Sequence, residues 1–331
     1  MEIKFIDVLI TVLSLVLLMV PGFIMAKAKM LPENATETLS TIVLYLCQTM
    51  LVFACFQNYE YDAQIALNML YVAGLAFAVH FIMIGLLYLV VRGDDAKKRC
   101  LRYGSVFSNC GYMGIPLLKM LFEGTGSQGE ILIYTAVVLS VWNIVNWTFG
   151  VYMMTKDKKE VSVKKIALNP VIIAVVLGFL SFIILKKPIK NFGEPGSPLN
   201  SILTKIMGCV NFFGEAVTPL SMTVIGIKLA NVNLKQLFLD KQAYLCSLFK
   251  LIIMSVITML VVSFLPIDVT VKYALFFCLS MPAASSTTLF AVKFKGDGDF
   301  ASVCVLLSTI LSIITIPLMF LVLGGVFGVT V

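Results

Sequence analysis

Charge is what this sequence has least of. Of its 331 residues only 13% are Asp, Glu, Lys or Arg, while 60% are hydrophobic and the mean hydropathy is +0.98. A soluble domain carries about 25% charged residues, so most of this chain must face lipid or other apolar helices. Histidine occurs once, as His80. The eight cysteines form no CxxC pair and lie mostly inside apolar runs. That pattern excludes zinc, haem and iron–sulfur sites and leaves the thiols as small apolar filler, so no metal or cofactor is expected. An HExxH motif is missing, as is a pair of mid-span aspartates, and His80 alone offers no Ser–His pairing; intramembrane protease or transferase chemistry has no residues to run on. No GxxxxGK[ST] loop is present for a nucleotide-driven pump. The net charge of +7 could suggest nucleic acid. The basic residues sit in short loops between apolar runs, however, where their use is to orient a membrane protein.

Long apolar runs are what the sequence has in abundance. At about 20 residues per crossing, there is room for ten helices, and the fold class is an all-α polytopic membrane protein. The first five spans are predicted over 7–26, 36–57, 67–91, 100–122 and 130–154, the second five over 167–185, 199–229, 242–264, 270–292 and 300–325. The run from Val8 to Ala26 lacks a small-residue cleavage site after a basic start, so it is expected to be a retained span. Residues 1–154 form one five-helix repeat, 155–166 a polar linker, and 167–331 the second repeat. Sixteen Lys and Arg fall in the odd-numbered loops and seven on the opposite side. The excess places the odd loops in the cytoplasm of a cell-membrane protein and both termini outside. An odd number of spans per half turns the second half upside down, as an inverted repeat requires.

Two spans are interrupted. Span four contains Ser108-Asn109-Cys110-Gly111-Tyr112-Met113-Gly114-Ile115-Pro116, and span nine contains Ser280-Met281-Pro282-Ala283-Ala284-Ser285-Ser286, the prolines being 166 residues apart. Glycine and proline oppose a continuous helix. Lipid cannot satisfy the backbone groups so released, and such breaks survive only where protein or a wet cavity covers them. Paired interruptions in corresponding places point to a secondary transporter's binding site. A broken helix presents the partly positive N-terminal end of its second half, suited to a carboxylate. Asn109 adds a donor and an acceptor, and Gly111 and Gly114 let a substrate approach the backbone. Pro282 fits a first-turn position, with the hydroxyls of Ser285 and Ser286 just beyond it. The plainer alternative is that these glycines and prolines serve close packing and the hydroxyls bond their own helices.

Asn143 and Asn146 lie one turn apart on a single face of span five, where amides either line a cavity or bond a neighbouring helix. Gln48 and Thr49 in span two pose the same choice, with the packing role ahead. Glu215 is the one acidic residue well inside a span and a coupling candidate, since a charge at mid-membrane usually faces a cavity or a partner. His80, midway through span three, can titrate near neutral pH and is the second coupling candidate. Lys228 is expected to snorkel and Lys250 to pair or snorkel.

Asn109-Cys110-Gly111-Tyr112-Met113-Gly114-Ile115-Pro116-Leu117 resembles the Asn-x-Gly-x-x-Gly-Ile-Pro-Leu signature of the auxin efflux carrier family, whose plant members are the PIN-formed carriers. Asn169-Pro170 with Gly178 resembles that family's sixth span, and Pro219-Leu220 with Gly226 and Leu229-Ala230 its seventh. Met281-Pro282 through Leu307-Ser308-Thr309 and Ile316-Pro317-Leu318 resembles the ninth and tenth. The resemblance implies a ten-helix inverted-repeat carrier for organic anions, working as an elevator. Spans one, two, six and seven would form a scaffold and homodimer surface. Spans three to five and eight to ten would move, with helices four and nine crossing at Pro116 and Pro282. Thr49 and Ser286 depart from residues common in the family, and the short centre argues for a bacterial-type member.

The expected function is therefore secondary transport of a small organic anion, such as an auxin-like acid or a dicarboxylate, with membrane lipid as surroundings. Coupling to H+ or Na+ is open. A carrier of another small solute, or a non-transporting sensor or channel, is the alternative.

Overall fold

The computed structural model describes residues 3–57, 59–162, 164, 167–231 and 237–327. Lys165 and Lys235, counted among the loop charges above, lie outside the described residues, as do the ends of the two predicted repeats. Among the described residues, twelve named helices build the fold: α1 (Phe5–Lys27), α2 (Ala35–Phe56), α3 (Ala63–Val90), α4 (Ala96–Val106), α5 (Cys110–Leu121), α6 (Gln128–Thr155), α7 (Pro170–Leu185), α8 (Pro198–Ala230), α9 (Lys241–Ser263), α10 (Val269–Leu279), α11 (Ser286–Lys293) and α12 (Gly298–Phe327). Eight are long and apolar enough to cross a membrane; the four short ones, α4–α5 and α10–α11, are the halves of the two interrupted spans.

The scarce polar residues are spent on helix ends. Asp62, Asp95, Asn169, Ser197, Asp240 and Asp268 each accept a backbone N–H in the first turn of α3, α4, α7, α8, α9 and α10. A capping side chain satisfies one of the donors a helix start leaves orphaned, which explains why acids cluster at the borders of spans. Loop contacts fix the alternation of the crossings. On one face Lys97 Nζ meets Asp240 Oδ2 at 2.7 Å, Lys156 Nζ meets Asp94 Oδ1 at 2.8 Å, and Arg99 donates to Met154 O at 2.6 Å. A hydrogen bond from Lys156, and then one from Arg102, hold the Asp94 carboxyl below the usual carboxylate range. On the other face Tyr59 donates to Gly126 O at 3.0 Å and Tyr61 N to Lys186 O at 2.9 Å. Each contact joins loops of like parity, as alternating crossings require.

Helices α1 and α8 touch backbone to backbone. A Cβ on Gly226 would lie 2.0 Å from Met19 O, and one on Gly22 would lie 2.2 Å from Thr223 O. Small residues at such crossings let dispersion and close packing replace the hydrophobic drive that lipid removes. Helices α2 and α7 complete this group, α7 and the first half of α8 both packing on α2. The other helices pack chiefly among themselves, α3 and α10 against α6, and α9 and α11 against α12.

Among the described residues, four helices contain a single π turn: 43–47 in α2, 110–114 in α5, 146–150 in α6 and 248–253 in α9. Such turns carry i→i+5 bonding and are rare outside functional regions. Gln48, Asn109, Asn146 and Lys250 all sit within or next to one.

Candidate functional site

Helix α4 ends at Val106, after which Phe107 turns to extended geometry (φ −86°, ψ 117°). The chain then runs antiparallel to the extended segment between α10 and α11. Asn109 N donates to Pro282 O and Ala284 N to Phe107 O, each at 2.8 Å, and Ser108 pairs with Ala283 as an isolated bridge. Ala283 N donates to Ser308 Oγ of α12 at 3.0 Å. The two interrupted spans thus satisfy each other's released backbone groups at the point where they cross, as burial in an apolar phase demands.

The crossing corrects the expectation for Pro116. It falls at 107–109, and Pro116 lies seven residues further on, inside the first turn of the regular helix that follows the π turn. Proline needs no N–H there, so it continues the helix instead of breaking it. Pro282 does lie at the crossing, in extended chain ahead of α11 and not in its first turn. Gly111 and Gly114 are packing positions in this conformation. A Cβ on Gly111 would lie 2.3 Å from Gln48 Nε2, and one on Gly114 would lie 3.4 Å from Met281 Cγ.

The crossing is electrically two-sided. On one side stand the C-terminal carbonyls of α4 and α10, the partly negative ends of their dipoles. Lys250, fully buried, enters from α9 and places Nζ 3.3 Å from Val106 O, 2.5 Å from Ser108 Oγ and 3.0 Å from Leu279 O. It neither snorkels nor pairs with an acid, since no Asp or Glu is buried among the described residues. On the other side are the N-terminal ends of α5 and α11. There Asn109 Nδ2, Gln48 Nε2 and Ser285 Oγ are buried without a hydrogen-bond partner, although a buried amide left unpaired costs about 1–3 kcal/mol.

The remaining candidates divide. Asn146 and Ser286 meet at Tyr103, whose hydroxyl donates to Asn146 Oδ1 and lies 3.0 Å from Ser286 Oγ. Asn143 donates to Leu139 O at 2.9 Å and accepts from Asn169 Nδ2 at 3.2 Å, so it ties α6 to the start of α7. Both amides therefore bond neighbouring helices. His80 is buried, its Nδ1 2.7 Å from Ala76 O and its ring against Phe107; it packs beneath the crossing without reaching Asn109. Glu215 ends the first half of α8 on the exposed face, beside Phe212 and Phe213. Tyr103 gave no signal in the sequence, being one aromatic that follows a run of basic residues. Lys250 signalled itself only as a lysine deep in a span.

Tyr103→Phe removes the one hydroxyl that joins α4, α6 and α11. The stranded Asn146 Oδ1 should destabilise the protein by about 1–3 kcal/mol, read as a lower melting temperature in detergent with an unchanged elution volume. An unchanged melt would mean that Tyr103 holds nothing together.

A cavity of about 900 Å³ lies on the odd-loop face, between Thr36 and Lys228 on one wall and Thr288, Ser302 and Leu306 on the other, with Asp240 at its border. Lys228, expected to snorkel, lines it. The family model described as "Membrane transport protein" matches residues 7–320 of this chain. The chain belongs to that family, the auxin efflux carriers. An uncharacterized transporter of Methanothermobacter thermautotrophicus is 26% identical over 321 residues, 95% of this chain and 97% of the relative. A second, from Methanocaldococcus jannaschii, is 24% identical over 321 residues, 94% and 96% of the two chains. This transporter is thus a multi-pass membrane protein, and the crossing of its broken spans lies inside a transport fold.

Proposed function

We propose that this transporter moves a small organic anion, a carboxylate of auxin-like or dicarboxylate type, by an elevator-type alternating-access cycle. The observation that carries this reading is the polarity of the crossing. The N-terminal ends of α5 and α11, with Asn109 Nδ2 and Gln48 Nε2 unpartnered beside them, form a cluster of donors. Backbone N–H groups of a first turn have no intrahelical acceptor, and together with the dipole they favour an anion. A carboxylate oxygen would satisfy the amide donors that the protein leaves unpaired.

The packing supports two bodies, a scaffold of α1, α2, α7 and α8 and a moving unit of the rest, with the cavity between them. We place the odd loops in the cytoplasm and the termini outside on the charge excess, and we read the halves as an inverted repeat on the matching position of the breaks. Glu215 on an outward apolar face gives a reason for homodimer formation through α7 and α8, because an acid against lipid costs about 2.5–3.5 kcal/mol or more.

A thermal-shift panel tests the substrate class. A carboxylate present at about 100 times its Kd should raise stability by about 2.7 kcal/mol, whereas choline and neutral sugars should not. Flux of the stabilising acid into proteoliposomes follows. Stabilisation by cations or neutral solutes, with none by any acid, overturns the anion assignment.

A further inference from the structure

Lys250 is a cation in a place built for one. Its Nζ is held by Val106 O, Ser108 Oγ and Leu279 O. Two of these are carbonyls at C-terminal ends of broken helices, and the third is a hydroxyl between them. Discontinuous membrane helices use such carbonyls and half-helix C-termini to coordinate coupling cations. All three acceptors here are spoken for as acceptors. The Ser108 hydroxyl uses its proton on Leu279 O at 3.0 Å, so it has none to give the lysine. A neutral amine has two N–H groups and a lone pair, and the lone pair would be turned against one of these oxygens. An ammonium has three donors and no acceptor, which matches the three oxygens one for one. Among the described residues no carboxylate shares the burial, so the compensating negative charge is that of the two helix dipoles.

We propose that the Lys250 ammonium is the resident cation of the crossing, tethered by α9 where a carrier of this architecture would otherwise bind a metal cation, so that the site takes no sodium ion. The consequence for coupling rests on the carrier reading above; the occupancy does not. The lysine's ammonium neutralises the negative half of the crossing, and the donor half on the other side is left for the anion. Because the charge comes from α9, it travels with α4, α5, α10 and α11 if these move as one unit. The neighbouring groups leave no competing charge. His80 and the thiols of Cys110 and Cys246 are titratable side chains that interact electrostatically with Lys250, and all three are buried. None is an acid that would draw the ammonium away from the carbonyls.

The experiment uses the full chain in detergent, with melting temperature and amide exchange over 106–109 and 279–284 as readouts, neither of which requires a substrate. The wild type should show the same melt and the same exchange in sodium as in choline chloride at equal ionic strength. Sodium-specific protection confined to those two segments of the wild type overturns the proposal. Lys250→Ala should lower the melt and speed exchange in both segments on the order of tenfold or more. Ammonium or methylammonium should reverse both effects, and choline, too large for the space, should not. Uniform destabilisation of the variant with no response to any small cation overturns the proposal, because the lysine would then be only a packing element. Should Lys250→Ala fail to fold, the wild-type comparison of sodium and choline still decides. A carrier that binds no acid leaves both measurements intact, so the two readings fail separately.

Discussion

Gly226→Leu leaves no folded transporter to purify. The Cβ alone would sit 2.0 Å from Met19 O, inside the contact distance of any carbon and oxygen, and the obstacle is backbone of α1 rather than a side chain that can turn away. A Cβ on Gly22 would likewise lie 2.2 Å from Thr223 O, so the two backbones are in close approach at both points and must separate to accept a side chain. Overpacking that side chains can absorb costs about 1–3 kcal/mol; separating two membrane helices along their seam costs more, and a membrane domain holds only about 5–15 kcal/mol in reserve. Gly74→Ala is the matched control. Nothing lies within 4 Å of the Cβ it would add, and Gly→Ala in a helix is worth about 0.5–1 kcal/mol in its favour. Size-exclusion profiles and melts should therefore part sharply, the control behaving as wild type or better. Equal profiles for the two variants would show that α1 and α8 can separate freely.

Asn109→Asp abolishes the carboxylate response while leaving the fold in place. The side chain keeps its shape but exchanges a donor for a negative charge, next to the position the substrate anion should take. Like charges brought together at a desolvated contact cost several kcal/mol, so affinity should fall by about a thousandfold at neutral pH. Asn109→Ala, which removes one hydrogen bond to a charged group worth about 1.5–3 kcal/mol, should lose on the order of ten- to a hundredfold. The graded order of wild type, alanine and aspartate, measured by ligand-induced melting shifts, separates a binding amide from a packing one. Equal shifts in all three proteins would place the anion elsewhere.

The order of the spans and the two interruptions could be read from the residues, because hydropathy and backbone chemistry act over stretches of chain; that the interruptions meet came only from the family resemblance. Span borders held to within a few residues, since caps such as Asp62 and Asn169 mark them directly. Pro116 misled because a proline breaks a helix only in its interior. After the wide turn at 110–114 it sits at a new helix start, and the break moves back to Phe107. For Glu215, depth along a span is visible in sequence, but the direction the side chain faces is not. The pairing of Asn143 with Asn169 and of Asn146 with Tyr103 needs three dimensions, since the partners belong to other helices. Lys250 was visible as an oddity, yet its acceptors are carbonyls, which every residue carries and no sequence pattern distinguishes.

The four π turns give the length of the chain a meaning at these places. Each holds one residue more than an α turn, so everything after it is rotated by about 100° from where an unbroken helix would put it. Deleting a single residue within 248–253 would let α9 close into ordinary helix with its hydrogen bonds complete, yet it would swing Lys250 away from Val106 and Leu279. The same holds for the turn that precedes Gln48 and for the one that begins at Asn146. At these turns the angular placement of the polar groups is encoded by a count of residues as much as by their identity. Substitution scans would miss that dependence, and one-residue deletions would expose it.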